Sequence, residues 1–333
     1  YMKQYAVSHS NLSANQAYLL EQCLVWQRLS EHLGWQCDNV RVVYSEISQD
    51  IQNEVYAGAK SFVKTNKGRY KCGGYIYTGE GQDIGQFWAE LNVGNAKVKK
   101  TTANEIVTNG NAMYSIAGAT FGIFSDQNCS NQIGTLTTNE NGDTNEVEVT
   151  AGTVYIKELS APKGYKLDTI VSSLKVEAGK TATLNVSDVP KVTETLVDLF
   201  KIDMETGKAT AQGDAALAGA EFTWHYYDGL YTKDNLPEKA TRTWVTKTVA
   251  EKDSNGNIHY VTKLADDYKV SGDTFYTQNE KSVLPLGTLT VEETKAPDGY
   301  LLDGAYMQAG DSTEQIKGIY LTHITEDGEL AVL

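Results

Sequence analysis

Proline, cysteine, basic charge and long apolar runs are all scarce in this sequence, and each shortage excludes a class of protein. Lysine and arginine number 29 against 43 aspartates and glutamates, so a basic surface for nucleic acid is not expected. No run of about 18 apolar residues occurs, so we expect no membrane insertion in this chain. Only 5 prolines stand beside 29 glycines and 20 tyrosines, a mixture that favours many strands joined by tight turns.

The 4 cysteines, Cys23, Cys37, Cys72 and Cys129, lack the CxxC spacing that zinc sites and thioredoxin-type motifs use. Cys37 and Cys72 are compatible with a bridge in an exported protein, whereas Cys23 in "QCLVW" fits a small buried hydrophobe equally well. The 5 histidines are scattered, and no GxSxG, HExxH or phosphate-loop motif is present. We therefore expect no metal, no cofactor and no turnover enzyme.

The first ~90 residues carry a helical pattern that the rest of the chain does not share. Ser13 and Gln16 have the spacing of a capping box, and a second helix is predicted from apolar residues spaced between Ile47 and Phe62. The stretch "GGYIYTGEGQDIGQFWAEL" then predicts a strand, a glycine-rich loop and another ordered segment. Residues 1–92 are predicted to form a small α+β domain.

From about Leu91 onward, strand-like alternation of apolar residues replaces the helical period. The alternating pairs include Val147 with Val149 and Val154 with Ile156. The stretch "NENGD", residues 139–143, predicts a hairpin turn, because it lacks the spacing and the distal glutamate of a calcium loop.

An internal repeat organises this β region. "VKKTT" recurs as "LFKID", which places Lys100 opposite Lys201, and "IAGATF" recurs as "LAGAEF". "VYIKELSAPKGYKLD" recurs as "LTVEETKAPDGYLLD", which places Glu158 opposite Glu293. The repeat predicts two tandem β-sandwiches of immunoglobulin-like or prealbumin-like type, so the fold class is mainly β. We call residues 93–191 module 1 and residues 192–333 module 2, with an insertion in module 2 at about 223–286.

Strand phase directs one lysine and one glutamate into the interior of each module. Lys100 shares a strand face with Ala96 and Val98, and Glu158 shares one with Val154 and Ile156. In a single copy, a buried salt bridge or a snorkelling side chain is the simpler interpretation. Recurrence in both copies favours chemistry, because burial lowers the pKa of an amine and raises that of a carboxylic acid. A neutral amine is a nucleophile, and a protonated carboxyl can transfer protons.

The lysine, the "AGA-x-F" stretch and "E-x-x-AP-x-GY-x-LD" together resemble the Cna B-type (SpaA-like) modules of Gram-positive adhesins and pilins. The resemblance implies an intramolecular isopeptide bond from the lysine to an Asn or Asp of the last strand, with the glutamate as catalyst. In module 1 it assigns Lys100, Glu158 and Asp188, which lies two residues before Pro190 in "LNVSDVPK". Lys99 and Asn185 remain as alternative lysine and acceptor.

Module 2 supplies Lys201 and Glu293 but lacks a comparable acceptor. Asp327 lies in "EDG", a turn-like context with no following proline. The chain opens on Tyr1 and ends on the strand-like "GELAVL", so we expect a fragment of a longer protein. The acceptor strand of module 2 is expected beyond Leu333.

The predicted α+β domain of residues 1–92, called the head below, is similar to the thioester domains of such adhesins through the stretches "EQCLVW" and "GQDIGQFW". This resemblance implies a possible thioester glutamine at Gln82, with Gln86 as second choice. The family's partner cysteine lies near the start of the domain, and no cysteine precedes Cys23. The head is therefore expected to be partial or to lack the thioester.

Taken with the resemblance, these observations predict a structural and adhesive segment of a cell-wall-anchored, extracellular surface protein. Its partner would be a host or neighbouring-cell surface protein or glycan, and its only reaction a single self-cross-linking. The alternative is a carbohydrate- or host-protein-binding module that uses aromatics of the module 2 insertion. These aromatics are Trp224, Tyr226, Tyr227, Tyr231, Trp244 and Tyr260.

Overall fold

A computed structural model describes residues 12–21, 25, 47–80, 84–194 and 197–326. The chain divides into two compact units. Their ranges are Tyr1–Gly94, Thr150–Gly152 and Glu177–Lys180 for the first, and Asn95–Val149, Thr153–Val176 and Thr181–Leu333 for the second. Within the described ranges, no helix has both the length and the apolar character needed to cross a membrane.

The first unit contains the helices that the sequence predicts. Residues 14–21 are helical, and the capping box at their start is confirmed. Ser13 N donates to Gln16 Oε1 at 2.8 Å, and Gln16 N donates to Ser13 Oγ at 3.2 Å. Helix α1 spans Gln49–Thr65, with Ser48 as its N-cap. A small core holds the helices together through Leu20, Ile47 and Val55.

A β-hairpin follows these helices in the first unit. Strands β1 (Tyr70–Tyr77) and β2 (Ile84–Leu91) are antiparallel, as the predicted strand and ordered segment require. Gly73 lies under the ring of Trp88, and a Cβ there would come within 2.4 Å of the ring. The glycine is therefore needed for the ring to lie across the ribbon.

Module 1 is a β-sandwich with its first and last strands side by side. Its elements are β3 (Val93–Thr102), α2 (Glu105–Thr108), β4 (Thr120–Phe124), β5 (Gln132–Thr137), β6 (Val147–Thr150), β7 (Gly152–Ser160), β8 (Val171–Val176) and β9 (Thr181–Asp188). One sheet has the order β6-β3-β9 and the other has the order β5-β4-β7-β8. The β3–β9 pair is parallel, whereas β4 pairs antiparallel with β5 and β7.

The core of module 1 follows the period of two that the strands impose. Ala96, Val98 and Lys100 are each fully buried, while their neighbours along β3 are more exposed. Val154, Ile156 and Glu158 repeat this pattern on β7. The inward phase predicted for Lys100 and Glu158 is therefore the observed one. The apolar part of this core is Ala96, Val98, Ala119, Phe121, Ile123, Leu136, Val149, Val154, Ile156 and Val176.

Module 2 has a larger set of strands. These are β10 (Val192–Glu194), β11 (Leu199–Lys201), β12 (Glu221–Tyr227), β13 (Arg242–Lys247), β14 (Val249–Lys252), β15 (Ile258–Thr262), β16 (Lys269–Gly272), β17 (Tyr276–Gln278), β18 (Lys281–Pro285), β19 (Gly287–Lys295) and β20 (Tyr320–Ile324). Their sheet orders are β16-β13-β12-β19-β20, β11-β15-β14 and β10-β18-β17.

The extra residues of module 2 are distributed over several sheets. The order β13-β12-β19-β20 matches β5-β4-β7-β8 of module 1, and β16 is added at its edge. Strands β14, β17 and β18 are further additions within the predicted range 223–286. That range also contains β13 and β15, which correspond to β5 and β6, so the insertion is not one continuous block.

Module 2 and most of module 1 lie in the second unit and share one hydrophobic cluster. Module 1 contributes Val107, Tyr114 and Tyr165. Module 2 contributes large aromatics, and Trp224, Tyr226 and Trp244 are completely buried.

Candidate functional site

Three strands of module 1 bring ionisable side chains together inside the sandwich. Lys100 lies on β3, Glu158 on β7 and Asp188 at the end of β9. In the parallel register, Val186 stands opposite Lys100 and Asp188 stands opposite Thr102. Because strand side chains alternate with a period of two, Asp188 faces the same interior as Lys100.

The three side chains are in direct contact and almost completely shielded from solvent. Lys100 Nζ donates to Glu158 Oε1 at 2.6 Å, and it lies against Asp188 Oδ2. The exposed fractions are 0% for Lys100, 3% for Glu158 and 1% for Asp188. Asp188 Oδ2 does not adopt hydrogen-bond geometry with the amine. The amine nitrogen is thus held between one hydrogen-bonded carboxyl and one that it touches.

The surroundings of the triad favour protonated carboxyl groups. Burial raises the pKa of both Glu158 and Asp188, and the contacts of these carboxyl groups with the Lys100 amine oppose this shift only in part. The ring of Phe121 forms an apolar wall, with its centroid 5.0 Å from Lys100 Nζ. Asp168 N donates to Glu158 Oε2 at 2.8 Å, which orients the second oxygen of that carboxyl group.

A tight turn holds the backbone of β3 at the site. Lys100 N donates to Gly142 O at 2.7 Å, and a Cβ on Gly142 would lie 2.1 Å from Lys100 O. Gly142 has a φ of 79°, which glycine adopts without strain. The "NENGD" stretch is therefore a turn, as predicted, and it packs directly against the strand that carries the lysine.

The two alternative residues lie outside the triad. Lys99 points away from the interior and donates to Asp143 Oδ2 at 2.9 Å. Asn185 is exposed on β9, because it has the opposite strand phase to Asp188. Of the four candidates for lysine and acceptor, the structure thus brings Lys100 and Asp188 to the buried glutamate.

Module 2 repeats half of this arrangement. Lys201 Nζ donates to Glu293 Oε1 at 2.8 Å and to Oε2 at 2.6 Å. The pair is less shielded than its counterpart, with side-chain exposures of 17% and 8%. In the described part of the chain, β11 is an edge strand that pairs with β15 alone. Asp327, the weak acceptor candidate, lies outside the described residues.

A cavity of about 260 Å³ opens beside the Lys201–Glu293 pair. Phe222, the repeat partner of Phe121, lines it together with Met307 and Gln308. In module 1 the corresponding edge of β3 is covered by β9, which carries Asp188. The cavity in module 2 therefore lies beside β11, the strand that corresponds to β3.

The structure describes only some of the candidate residues of the head. Gln82 lies outside the described residues, as do Cys23 and Cys37. Gln86 is on β2, where its Oε1 accepts a hydrogen bond from Tyr77 OH at 3.3 Å. Cys72 and Cys129 are free thiols, which does not support a bridge between Cys37 and Cys72. The thioester remains a prediction.

Most of the aromatics predicted in the module 2 insertion are buried. Trp224, Tyr226 and Trp244 are 0% exposed and Tyr227 is 7% exposed. Trp224 Nε1 donates to Thr246 Oγ1 at 2.8 Å, so the polar edge of this buried ring is satisfied internally. The burial of these four rings argues against their use as a ligand surface, whereas Tyr231 and Tyr260 are half-buried.

Sequence comparison decides the family of module 1. Residues 93–190 match the family model described as "SpaA: Prealbumin-like fold domain". This part of the chain is a SpaA-type prealbumin-like domain. The resemblance inferred from the repeat motifs is thereby confirmed for module 1, and the SpaA-type domain contains all three residues of the triad.

A curated relative and two solved structures extend the comparison. The chain is 35% identical over 88 residues to the trypsin-resistant surface T6 protein of Streptococcus pyogenes, and this match covers 24% of the chain and 16% of the relative. The Bacillus anthracis TIE protein has 20% identity and a TM-score of 0.40 over 78% of this chain and 39% of its own. A C-terminal fragment of the pilus adhesin SpaC from Lactobacillus rhamnosus GG has 18% identity and a TM-score of 0.36, over 72% and 85%. Both TM-scores lie below 0.5, so the family assignment rests on the sequence match alone.

Two contributors to the site were missed from the sequence. In the sequence, Phe121 is only part of a repeated stretch and Asp168 is only a repeated residue. Their repetition was the available signal, since Phe222 and Asp303 occupy the matching positions of module 2. The backbone N–H through which Asp168 acts has no sequence signature.

Proposed function

We propose that the SpaA-type domain joins Lys100 Nζ to Asp188 Cγ through an amide bond, with Glu158 as the proton carrier. The observation that carries this proposal is the contact of an amine with two carboxyl groups in a fully buried site. A buried ion triad that stayed unreacted would carry a large desolvation penalty. Conversion to a neutral amide removes that penalty.

The proposed reaction uses only the three side chains. A proton moves from the Lys100 ammonium to a carboxyl group, which leaves a neutral amine as the nucleophile. The Nζ atom attacks Cγ of protonated Asp188, and Glu158 accepts the second amine proton as the tetrahedral carbon forms. Glu158 then returns a proton to the departing hydroxyl. One C–N bond forms, one C–O bond breaks, and one water leaves.

The raised pKa of both carboxyl groups supports this sequence of steps. Burial favours the protonated form of Asp188, whose carbonyl carbon is then a better electrophile than a carboxylate carbon. The same effect on Glu158 brings its pKa closer to neutrality, where a residue can both accept and release a proton. The Phe121 ring limits access of water.

The proposed bond has a structural role. It would join β3, where the chain enters the module, to β9, where the chain leaves it. A pulling force on the two ends would then pass through the bond instead of through the hydrogen bonds and packing of the sandwich. The bond forms once and consumes Lys100 and Asp188, so the chain would act as a structural element and not as an enzyme.

We extend the proposal to the role of the whole protein. The relative in Streptococcus pyogenes is described as a trypsin-resistant surface protein, which supports a surface location for this chain. The chain spans 16% of that relative's length, about one sixth, so the match does not show the architecture of the whole protein. The role of the whole protein is therefore part of the proposal. We infer an extracellular, cell-wall-anchored segment of a pilin or adhesin whose partner is a surface protein or glycan of a host or neighbouring cell.

In module 2 we propose the same chemistry with its acceptor supplied by a segment outside the described residues. The Lys201–Glu293 pair, the edge position of β11 and the adjacent cavity support this proposal. The greater exposure of the pair fits a site whose covering strand is not among the described residues.

The intact mass of the chain tests the proposal. Purified chain is expected to be lighter than its sequence by one water, and Glu158→Ala is expected to restore the full mass. Asp188→Asn is the matched control, because an amide acceptor would lose ammonia and give the same final product and mass as the wild type. A folded wild-type chain with the full sequence mass would contradict the assignment of this triad.

A further inference from the structure

Two chain segments that lie next to the triad of module 1 are located at the junction between the two modules. One segment is the turn between β7 and β8, which starts after Glu158 and includes Asp168. The other follows β9, directly after Asp188. Residues of module 2 bind both segments, although none of them belongs to the triad.

Glu326, located just after β20, is the residue that joins these segments. Its Oε1 accepts a hydrogen bond from Gly164 N at 2.9 Å. Its Oε2 accepts one from Lys191 Nζ at 2.5 Å. Both bonds keep the carboxylate ionised, and together with the charge of Lys163 they hold the pKa of Glu326 below its usual range. One side chain of module 2 therefore binds both flanking segments of module 1.

The two flanking segments are also bonded to each other. Lys191 N donates to Gly164 O at 2.8 Å, and Lys166 N donates to Val189 O at 3.1 Å. The turn and the exit of β9 thus form a short ladder, and Glu326 closes its end. A displacement of either segment would displace the other as well.

Further contacts from module 2 reach the same exit. Gln278 Nε2 donates to Pro190 O at 3.4 Å. Tyr114 OH donates to Lys191 O at 2.6 Å and accepts from Leu286 N at 2.9 Å, so one hydroxyl links the exit to module 2. Burial raises the pKa of Tyr114 far above its usual value, so it stays a donor.

The ladder sets the positions of the reacting groups. Lys191 lies only three residues beyond Asp188, whose carbonyl accepts from Ala103 N at 2.8 Å. At the other end of the ladder, the turn presents Asp168 N to Glu158 Oε2. An intramolecular attack is very sensitive to such geometry, since a displacement of about 1 Å can reduce its rate by about 100-fold.

We propose that Glu326 of module 2 is a positioning residue for the amide-forming reaction in module 1. It fixes the turn that orients Glu158 and the exit that places Asp188 against Lys100. The cross-link of the first module thereby forms efficiently only after the second module has folded against it. This inference rests on the proposed reaction, and it adds a dependence that the triad alone does not imply.

The rate of bond formation in newly made chains tests this role. Chains are synthesised in a cell-free system, quenched in acid at intervals, and weighed to find the fraction that has lost one water. Glu326→Ala is expected to slow the reaction by about 10- to 100-fold. Glu326→Gln is expected to restore part of the rate, because its amide oxygen still accepts from Gly164 N. Glu221→Gln is the matched control, since Glu221 forms a similar ion pair with Lys295 within module 2.

A purely structural role is distinguished by the same variants in a Glu158→Ala background, where no bond forms. In this background, the denaturation midpoints of the variants are expected to fall by similar small amounts. They are not expected to follow the order of the rates of bond formation. If Glu326→Ala does not fold, Lys191→Met removes the other half of the ion pair and is measured instead. Closure of Glu326→Ala at the wild-type rate, or a rate loss that simply follows the midpoint, would overturn the inference. If the wild type itself never loses water, the proposed reaction fails.

Discussion

The amide bond proposed for module 1 makes a quantitative prediction about stability. Two variants prevent the bond: Asp188→Ala removes the acceptor and Glu158→Ala removes the proton carrier. Asp188→Asn retains an acceptor and is expected to yield the same covalent product as the wild type. The stability difference between Asp188→Asn and Asp188→Ala therefore measures the cross-link together with the local packing of one small side chain.

The expected magnitude follows from the length of chain that the bond closes. Lys100 and Asp188 are separated by roughly 88 residues, for which the chain-entropy relation gives about 4–5 kcal/mol. Glu158→Ala also leaves the Asp168 N–H without its acceptor, which adds about 1–3 kcal/mol. Since domains are stable by only about 5–15 kcal/mol, either alanine variant should lose a large share of the stability of module 1.

Hydrogen exchange resolved to peptides of module 1 is the suitable assay. Tryptophan is absent between residues 93 and 191, so intrinsic fluorescence would report on other parts of the chain. Exchange of the β3 and β9 amides at increasing denaturant gives the free energy of opening for each variant. A difference of less than about 1 kcal/mol between Asp188→Asn and Asp188→Ala would refute the reasoning from loop closure.

Three further predictions concern the elements that support the fold. Gly142→Ala is expected to lower the free energy of unfolding by at least about 1–2 kcal/mol because of its positive φ, which urea unfolding measures. It is also expected to slow bond formation, measured by intact mass, because the new Cβ would displace β3 at Lys100. Trp224→Ala is expected to cost about 3–5 kcal/mol in chemical denaturation, because it empties a fully buried site. Asp253, whose pKa hydrogen bonds from Asn257 lower to about 2, stabilises its loop above pH 4 and loses this effect as the pH falls toward 2; a carboxyl NMR titration with a midpoint near 3.8 would contradict this.

The triad could be predicted from the sequence because strand geometry is local. A period of two decides which side chains of a strand face inward, so Lys100 and Glu158 could be oriented without knowledge of their partners. The repeat then argued against a chance arrangement, because Lys201 and Glu293 have the same strand phase. Asp188 required the family resemblance, because strand phase alone does not specify which strand lies beside β3.

The supporting groups of the site could not be predicted in the same way. The contact of Gly142 with Lys100 depends on how a turn folds back onto a strand. The hydrogen bond to Glu158 comes from the backbone of Asp168, and any residue except proline could supply it. Such contacts depend on backbone conformation and leave little trace in residue identity.

The aromatic insertion illustrates a different limit. Composition shows that Trp224, Tyr226 and Trp244 are close in sequence, but a cluster of aromatics serves a core as well as a surface. Only the packing of β12 against β13 and β19 decides that these rings point inward. In the described residues, exposed aromatics include Tyr75 and Phe87 on the hairpin of the first unit and Phe200 on β11.

The sequence by itself determined the mainly β class, the internal repeat and the inward direction of Lys100, Glu158 and their repeats. These properties follow from periodicity and repetition, which can be read from the order of residues along the chain. The tertiary structure alone decided that β9 lies parallel to β3, that module 2 leaves β11 at an edge of the described fold, and that Glu326 binds Gly164 and Lys191. Those contacts join residues up to 162 positions apart, and they depend on the packing of whole modules.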